Sequence, residues 1–173
     1  MMKNTIRLVV LAAFVIAGLS ASAQQAQKLG HIETEKLIKA MPEMAAAEKT
    51  LQAKQDELTK EMTNLRDQYQ KLITEYTENS KTYSEVVRQS KEQEIGGLQQ
   101  RIQNFQEIAS NDLEKSKNDL LQPVMDKALN AIKEVAKENG FTYIFDMSSG
   151  VLLFTADNAE DILPLVKKKL GLQ

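Results

Sequence analysis

The sequence predicts an α+β protein in which a long antiparallel coiled-coil hairpin of helices projects from a small β-sheet body. Three observations carry that prediction. Between Pro42 and about Asn79 the chain has no glycine or further proline and repeats apolar side chains every seven positions. A second amphipathic stretch follows a polar break, and short β-rich pieces stand near both ends of the chain.

Residues 1–23 read as an export leader to be set aside before fold reasoning. Lys3 and Arg7 supply positive charge, an apolar run extends from Leu8 to Leu19, and Ala21-Ser22-Ala23 is a small-residue cleavage site. A run of about 12 apolar residues is too short for the roughly 20 that span a bilayer, so stable membrane insertion is not expected. Removing Lys3 and Arg7 from the 22 basic residues leaves 20 against 24 acidic ones, a net charge near −4. That balance gives no general attraction to nucleic acid or anionic lipid, and leaves only transient contact with a membrane surface. With no cysteine in the chain, neither a disulfide nor lipid attachment through cysteine is available.

The body is expected from residues 24–41 and 123–173, and the arm from residues 42–122. Residues 28–33 predict a short strand, with Thr34 capping the helical turn that follows. Pro42 lacks an amide hydrogen and suits the first position of a new helix. From the turn before it and onward along that helix, Leu37, Met44, Leu51, Leu58, Leu65 and Leu72 share one heptad position. Met41, Glu48, Gln55, Met62, Tyr69 and Tyr76 share the other. The narrow stripe is a seam, and at 1.5 Å per residue the helix is about 60 Å long, so it must project.

Glu78-Asn79-Ser80-Lys81-Thr82-Tyr83-Ser84 loses the pattern and marks the reversal, with Ser84 capping the returning helix. The return carries Val87, Leu98, Ile102, Phe105, Ala109, Leu113, Ser116, Leu120 and Val124. From Leu98 to Leu120 the steps are 4, 3, 4, 4, 3, 4, close to an eleven-residue repeat, which favours weak coiling. Gly96-Gly97 interrupts this arm as either a hinge or a weak spot without a role, and Pro123 predicts a kink or restart. Gly140 ends the helix. Residues 141–147 and 151–155 flank Ser148-Ser149-Gly150 as a β-hairpin, and a last helix from about Asn158 or Asp161 reaches Leu170.

A sheet assembled from one N-terminal strand and this C-terminal hairpin buries little apolar surface, so oligomerisation through the base is expected. Its candidate residues are Leu29, Ile32, Phe141, Tyr143, Phe145, Leu152 and Phe154.

No constellation for catalysis is present. His31 is the single histidine and has no cysteine to share a metal, the acidic pairs suit helix surfaces, and Gly96-Gly97 lacks the spacing of a phosphate loop. No enzyme activity, cofactor, metal or ATP is expected. Tyr69, Tyr76 and Tyr83 recur every seven residues, with Met62 one heptad below. They either pad the seam or turn partly toward the inside of an oligomer, where aromatic rings and flexible methionines suit a partner of variable sequence.

Several segments resemble the Skp/OmpH family of periplasmic chaperones. They are Met41-Pro42-Glu43, Lys91-Glu92-Gln93-Glu94-Ile95, Leu98-Gln99-Gln100-Arg101-Ile102, Leu121-Gln122-Pro123 and Ala131-Ile132-Lys133-Glu134-Val135-Ala136. Glu138-Asn139-Gly140-Phe141-Thr142-Tyr143-Ile144-Phe145-Asp146 and Asp161-Ile162 complete the series, in an order and spacing that carry the likeness. The resemblance implies a jellyfish-like homotrimer with three helical arms around a cavity. It implies that the cavity holds unfolded outer-membrane proteins without ATP. This chain departs from the pattern in its acidic charge, in Gly96-Gly97, and in Leu163 before Pro164. The alternative is an envelope spacer or adaptor that binds one folded partner at the arm tip, around Lys81-Thr82-Tyr83-Ser84.

Overall fold

A computed structural model of the protein describes residues 27–156 and 158–172; the leader expected at residues 1–23 lies outside them. The elements are β1 (Leu29–Ile32), α1 (Thr34–Lys39), α2 (Pro42–Asn79), α3 (Glu85–Glu138), β2 (Tyr143–Asp146), a 3₁₀ turn (Met147–Ser149), β3 (Glu160–Asp161) and α4 (Leu163–Lys169). The chain is mostly helical with a small sheet.

The predicted punctuation of α2 and of the turn after it holds. Pro42 is the first residue of α2, and the polar segment after Asn79 separates it from α3. Ser84 Oγ accepts from the Val87 amide at 3.4 Å, satisfying one of the free donors at the start of α3. At the other end Gly140 has φ 70°. Its amide donates to the Lys137 carbonyl at 3.3 Å while Phe141 donates to Ala136 at 2.9 Å, the paired bonds by which a left-handed glycine closes a helix.

Rising positions on α2 meet falling positions on α3. Glu43 pairs with Lys127, Lys54 with Asp112 at 2.7 Å, and Glu75 with Lys91 at 3.0 Å. Between these pairs the first heptad set turns inward, with Leu65 and Leu72 buried, whereas Glu48 and Gln55 of the second set are exposed. On α3 every expected seam residue from Leu98 to Leu120 is at least partly covered, but Val87 is exposed.

The core lies at the base. Ile32, Leu37, Met41, Ile162 and Val166 pack with Val124, Ala128, Ala131, Ile132 and Val135 of α3. The small side chains at 128 and 131 let α1, α4 and the sheet approach the helix closely. Gly30 is needed for the same reason, since a Cβ there would stand 2.7 Å from Phe141 Cε1.

Four expectations are corrected. The hairpin does not form: residues 151–155 pair with no strand, and the sheet has order β2-β1-β3 with both outer strands parallel to β1. The turn after β2 is committed elsewhere. Asp146 accepts from Ser148 at 2.9 Å, and Ser148 Oγ accepts from the Glu35 amide at 3.0 Å, so the chain leaves β2 bound to α1 and crosses to the far side of β1. Thr34 is not the cap of α1. It is the first helical residue, and Asp146 Oδ1 accepts from its amide at 3.2 Å. Pro123 causes no restart, because α3 runs through it. Its ring lies on the exposed side, and the buried Val124 and Ala128 that follow anchor the helix against the loss of one backbone bond. The last helix is shorter than expected and begins at Leu163, whose amide Asp161 Oδ1 accepts at 2.9 Å.

Candidate functional site

The arm offers side chains along a two-helix seam, and each predicted residue can be placed on it. Met62 is partly covered and lies in a shallow cleft between the helices with Leu58, Phe105, Ala109 and Leu113, so its thioether meets both the seam and solvent. Tyr69 is half-buried one heptad further out. Tyr76 and Tyr83 stand together at the tip, with ring centroids 6.5 Å apart and planes tilted by 46°.

Charge ties both tip hydroxyls to their own arm. Tyr76 Oη donates to Glu92, and that hydrogen bond to a carboxylate pushes the phenol upward from its ordinary value. Tyr83 Oη donates to Glu75 Oε1 at 3.3 Å; burial first, then the Glu75 charge, raises it as well. The Lys91 ammonium holds the Glu75 carboxyl below the usual range. The tip tyrosines therefore brace the turn, leaving Met62 and Tyr69 as the members of the stripe without such a tether.

Gly96 and Gly97 sit inside α3 on its exposed side. A Cβ at either would meet nothing within 4 Å, so close packing does not require a glycine at these positions. Beyond them toward the turn, Val86 is 78% exposed.

The seven body residues divide. Ile32 is buried in the chain's own core, and Phe141 packs against that core with Lys28 Nζ 4.0 Å above its ring. Leu29, Tyr143 and Phe145 lie instead on the opposite, exposed face of the sheet; Leu29 is in register with Tyr143, whose ring stacks on Phe145 with centroids 6.4 Å apart. Leu152 and Phe154 line a cleft with Leu29 and Phe145, and Phe154 is largely exposed. Sequence reasoning missed Met125 and Leu129, which stand half-exposed beside β2. Their period-3.6 spacing with Ile132 was the available signal.

Among the described residues, no three His, Cys, Asp or Glu side chains gather as a metal set, and no helix is long and apolar enough to cross a membrane. The chemistry of this arrangement is that of a surface: apolar and amphipathic side chains spread along an arm and across one sheet face.

The architecture is thus a long two-helix arm on a small α+β base. The chain belongs to the OmpH-like outer membrane protein family, whose pattern it matches over residues 28–170. Among solved structures it is similar to a candidate outer membrane chaperone (OmpH-like) from Caulobacter crescentus CB15. The two have a TM-score of 0.71 and 13% sequence identity, with 86% of each chain covered. No curated relative matches it by sequence.

Proposed function

We propose that the chain is a periplasmic, ATP-independent holdase. It encloses unfolded outer-membrane proteins between the antiparallel helical arms of a homotrimer and keeps them from aggregating. The observation that carries this reading is the arm itself: α2 and α3 pack chiefly on each other, with the extended core confined to the base. Family membership and the likeness to a candidate chaperone support it, and the leader pattern at residues 1–23 supports export.

Arms joined on one body act at high effective concentration, so weak contacts along their inner faces suffice to hold a client. Residues 42–122 form the arm in this reading, and residues 24–41 and 123–173 the body. Met62 and Tyr69 are the leading client contacts, because Tyr76 and Tyr83 spend their hydroxyls within the chain. Gly96-Gly97 serves as a flexible point in the outer arm.

The test is to dilute a urea-unfolded outer-membrane barrel protein into buffer with the purified chain. Turbidity should fall as the chain reaches one trimer per client, and aggregation unchanged by a molar excess rejects the reading. Light scattering at micromolar concentration should give a trimer.

Exposed Val86 at the tip favours a second reading, an envelope spacer or adaptor gripping a folded partner there. In that case changing Lys81 to Ser84 abolishes a stoichiometric complex, and unfolded clients are unaffected by the protein.

A further inference from the structure

One stretch of the arm's seam is left open. Toward the base Lys54 Nζ donates to Ser116 Oγ across the two helices at 2.7 Å, and toward the tip Leu65 is buried. Between these contacts the short Ala109 leaves a cleft of about 280 Å³, lined with it by Leu58, Met62, Phe105 and Leu113. The one charged residue on its rim is Arg66. Among the described residues Arg66 forms no ion pair. Met62, Arg66 and Tyr69 stand at i, i+4 and i+7 of α2 and so share one face of that helix. Residues 42–122 carry 15 acidic against 11 basic side chains, so an unpaired cation beside an apolar cleft is a local feature and not the arm's general charge.

We infer that this cleft is a discrete client pocket, one on each arm, which takes an aromatic side chain of an unfolded protein that carries Asp or Glu two residues away. This rests on the holdase reading above and names the kind of segment held. The volume is at the small end of the range for ligand sites, enough for one large side chain. A ring suits it best: the flexible Met62 thioether packs well at a ring edge, and Phe105 offers a second ring for an edge-to-face contact. Arg66 supplies direction, because its planar, permanently charged fork bonds a carboxylate through two parallel N–H donors. Side chains two apart in an extended chain share a face at a spacing of about 7 Å. With the ring in the cleft, such a carboxylate stands over the rim that Arg66 occupies.

Charge complementarity makes a client segment the occupant and disfavours a second copy of this chain. Its own pairs of the required kind are Tyr76 with Glu78, Tyr83 with Glu85 and Phe105 with Glu107. Tyr76 and Phe105 lie within helices, where side chains two apart point in different directions, and Tyr83 is bonded to Glu75 of its own arm. An unfolded client presents the pair in extended form. A contact of one ring and one exposed ion pair is weak, and several arms on one body make it sufficient.

Met62 lets the cleft be read directly. The purified chain, isotope-labelled at its methionine methyls, is titrated in the magnetic resonance spectrometer with the capped peptide Gly-Ser-Phe-Ser-Asp-Gly, and with forms that carry Lys for Asp or Ala for Phe. Loss of one signal in Met62→Leu assigns the Met62 methyl. That methyl should shift saturably with the Phe and Asp peptide, about threefold more weakly with the Lys form, and not with the Ala form. Arg66→Glu should invert the preference between the Asp and Lys forms, and Arg66→Lys should keep it. Equal binding of the two forms, or a preference that Arg66→Glu leaves unchanged, overturns the inference. A Met62 signal that moves with protein concentration alone and ignores every peptide puts a second copy in the cleft and also overturns it. A chain that protects a urea-diluted barrel protein without a saturable Met62 shift overturns the pocket alone. One that binds the peptides as expected yet protects nothing overturns the holdase reading and leaves the pocket standing.

Discussion

Asp146 Oδ1 accepts the Thr34 amide at 3.2 Å across 112 positions of the chain, so the last residue of β2 caps the first helix. The bond joins two pieces of the base that the whole length of the arm separates in sequence. Together with Ser148, which accepts from Glu35, it gives α1 the acceptors that its own N-cap residue does not supply.

Asp146→Ala should therefore cost about 1 kcal/mol, the usual scale for a lost helix cap. Thermal or urea unfolding of the natural and altered proteins at pH 7 measures it. Asp146→Asn should lose less, because its side-chain oxygen still accepts.

The same carboxylate predicts a pH dependence. Burial pushes the Asp146 carboxyl up, but the amides of Ser148 and Thr34 outweigh that, and the net shift is downward from 3.8. A group lowered in the folded state contributes stability that is present above its unfolded value and lost as pH falls through the folded one. The advantage of the natural protein over Asp146→Asn should be constant from pH 5 to 7 and shrink below about pH 4. Urea midpoints across that range check it, and a gap that widens on acidification would refute the assignment.

Gly96→Ala and Gly97→Ala should each stabilise the protein by up to about 1 kcal/mol, because the helix is regular there and the added methyl meets open space. Amide exchange in the outer part of α3 should slow accordingly. If the pair gives the arm its flexibility, the double variant also protects clients less well, a separation that holdase assays beside exchange measurements resolve.

Leu65→Ala should cost about 2–3 kcal/mol where the arm is measured locally, since Leu65 is only 1% exposed in an otherwise thin seam. Hydrogen exchange should rise across the middle of α2 and α3, while the base, whose core lies elsewhere, keeps its protection.

Gly30→Ala tests the base independently. Its new methyl would press on Phe141 at 2.7 Å and on Ile144 Cδ1 at 3.0 Å, so destabilisation of about 1–3 kcal/mol is expected by thermal unfolding.

Much of the arm was legible in the sequence because its determinants are local. Heptad spacing from Met44 to Leu72, the proline at 42, the serine at 84 and the glycine at 140 each act within a few residues of themselves, and their elements stand where the spacing puts them, whereas Leu37, which shares that spacing, belongs to α1 and the base core. Val87 departs: three positions into α3, beside the turn, it stays exposed. The client stripe was only half legible: heptad position places Tyr76 and Tyr83 at the seam, but nothing in that spacing reveals Glu92 and Glu75 as acceptors for their hydroxyls.

By itself the sequence determined two long helices, the polar turn between them, the base's small size and the absence of a cysteine framework, since composition, period and caps are properties of neighbouring residues. Only the tertiary structure decided that β1 is central and flanked by parallel strands, that Asp146 caps a helix 112 positions away, and that residues 151–155 remain unpaired within their own chain. The physical reason is that strand propensity states how a backbone extends but not which edge will bond it. That choice belongs to surfaces brought together only when the arm has folded back.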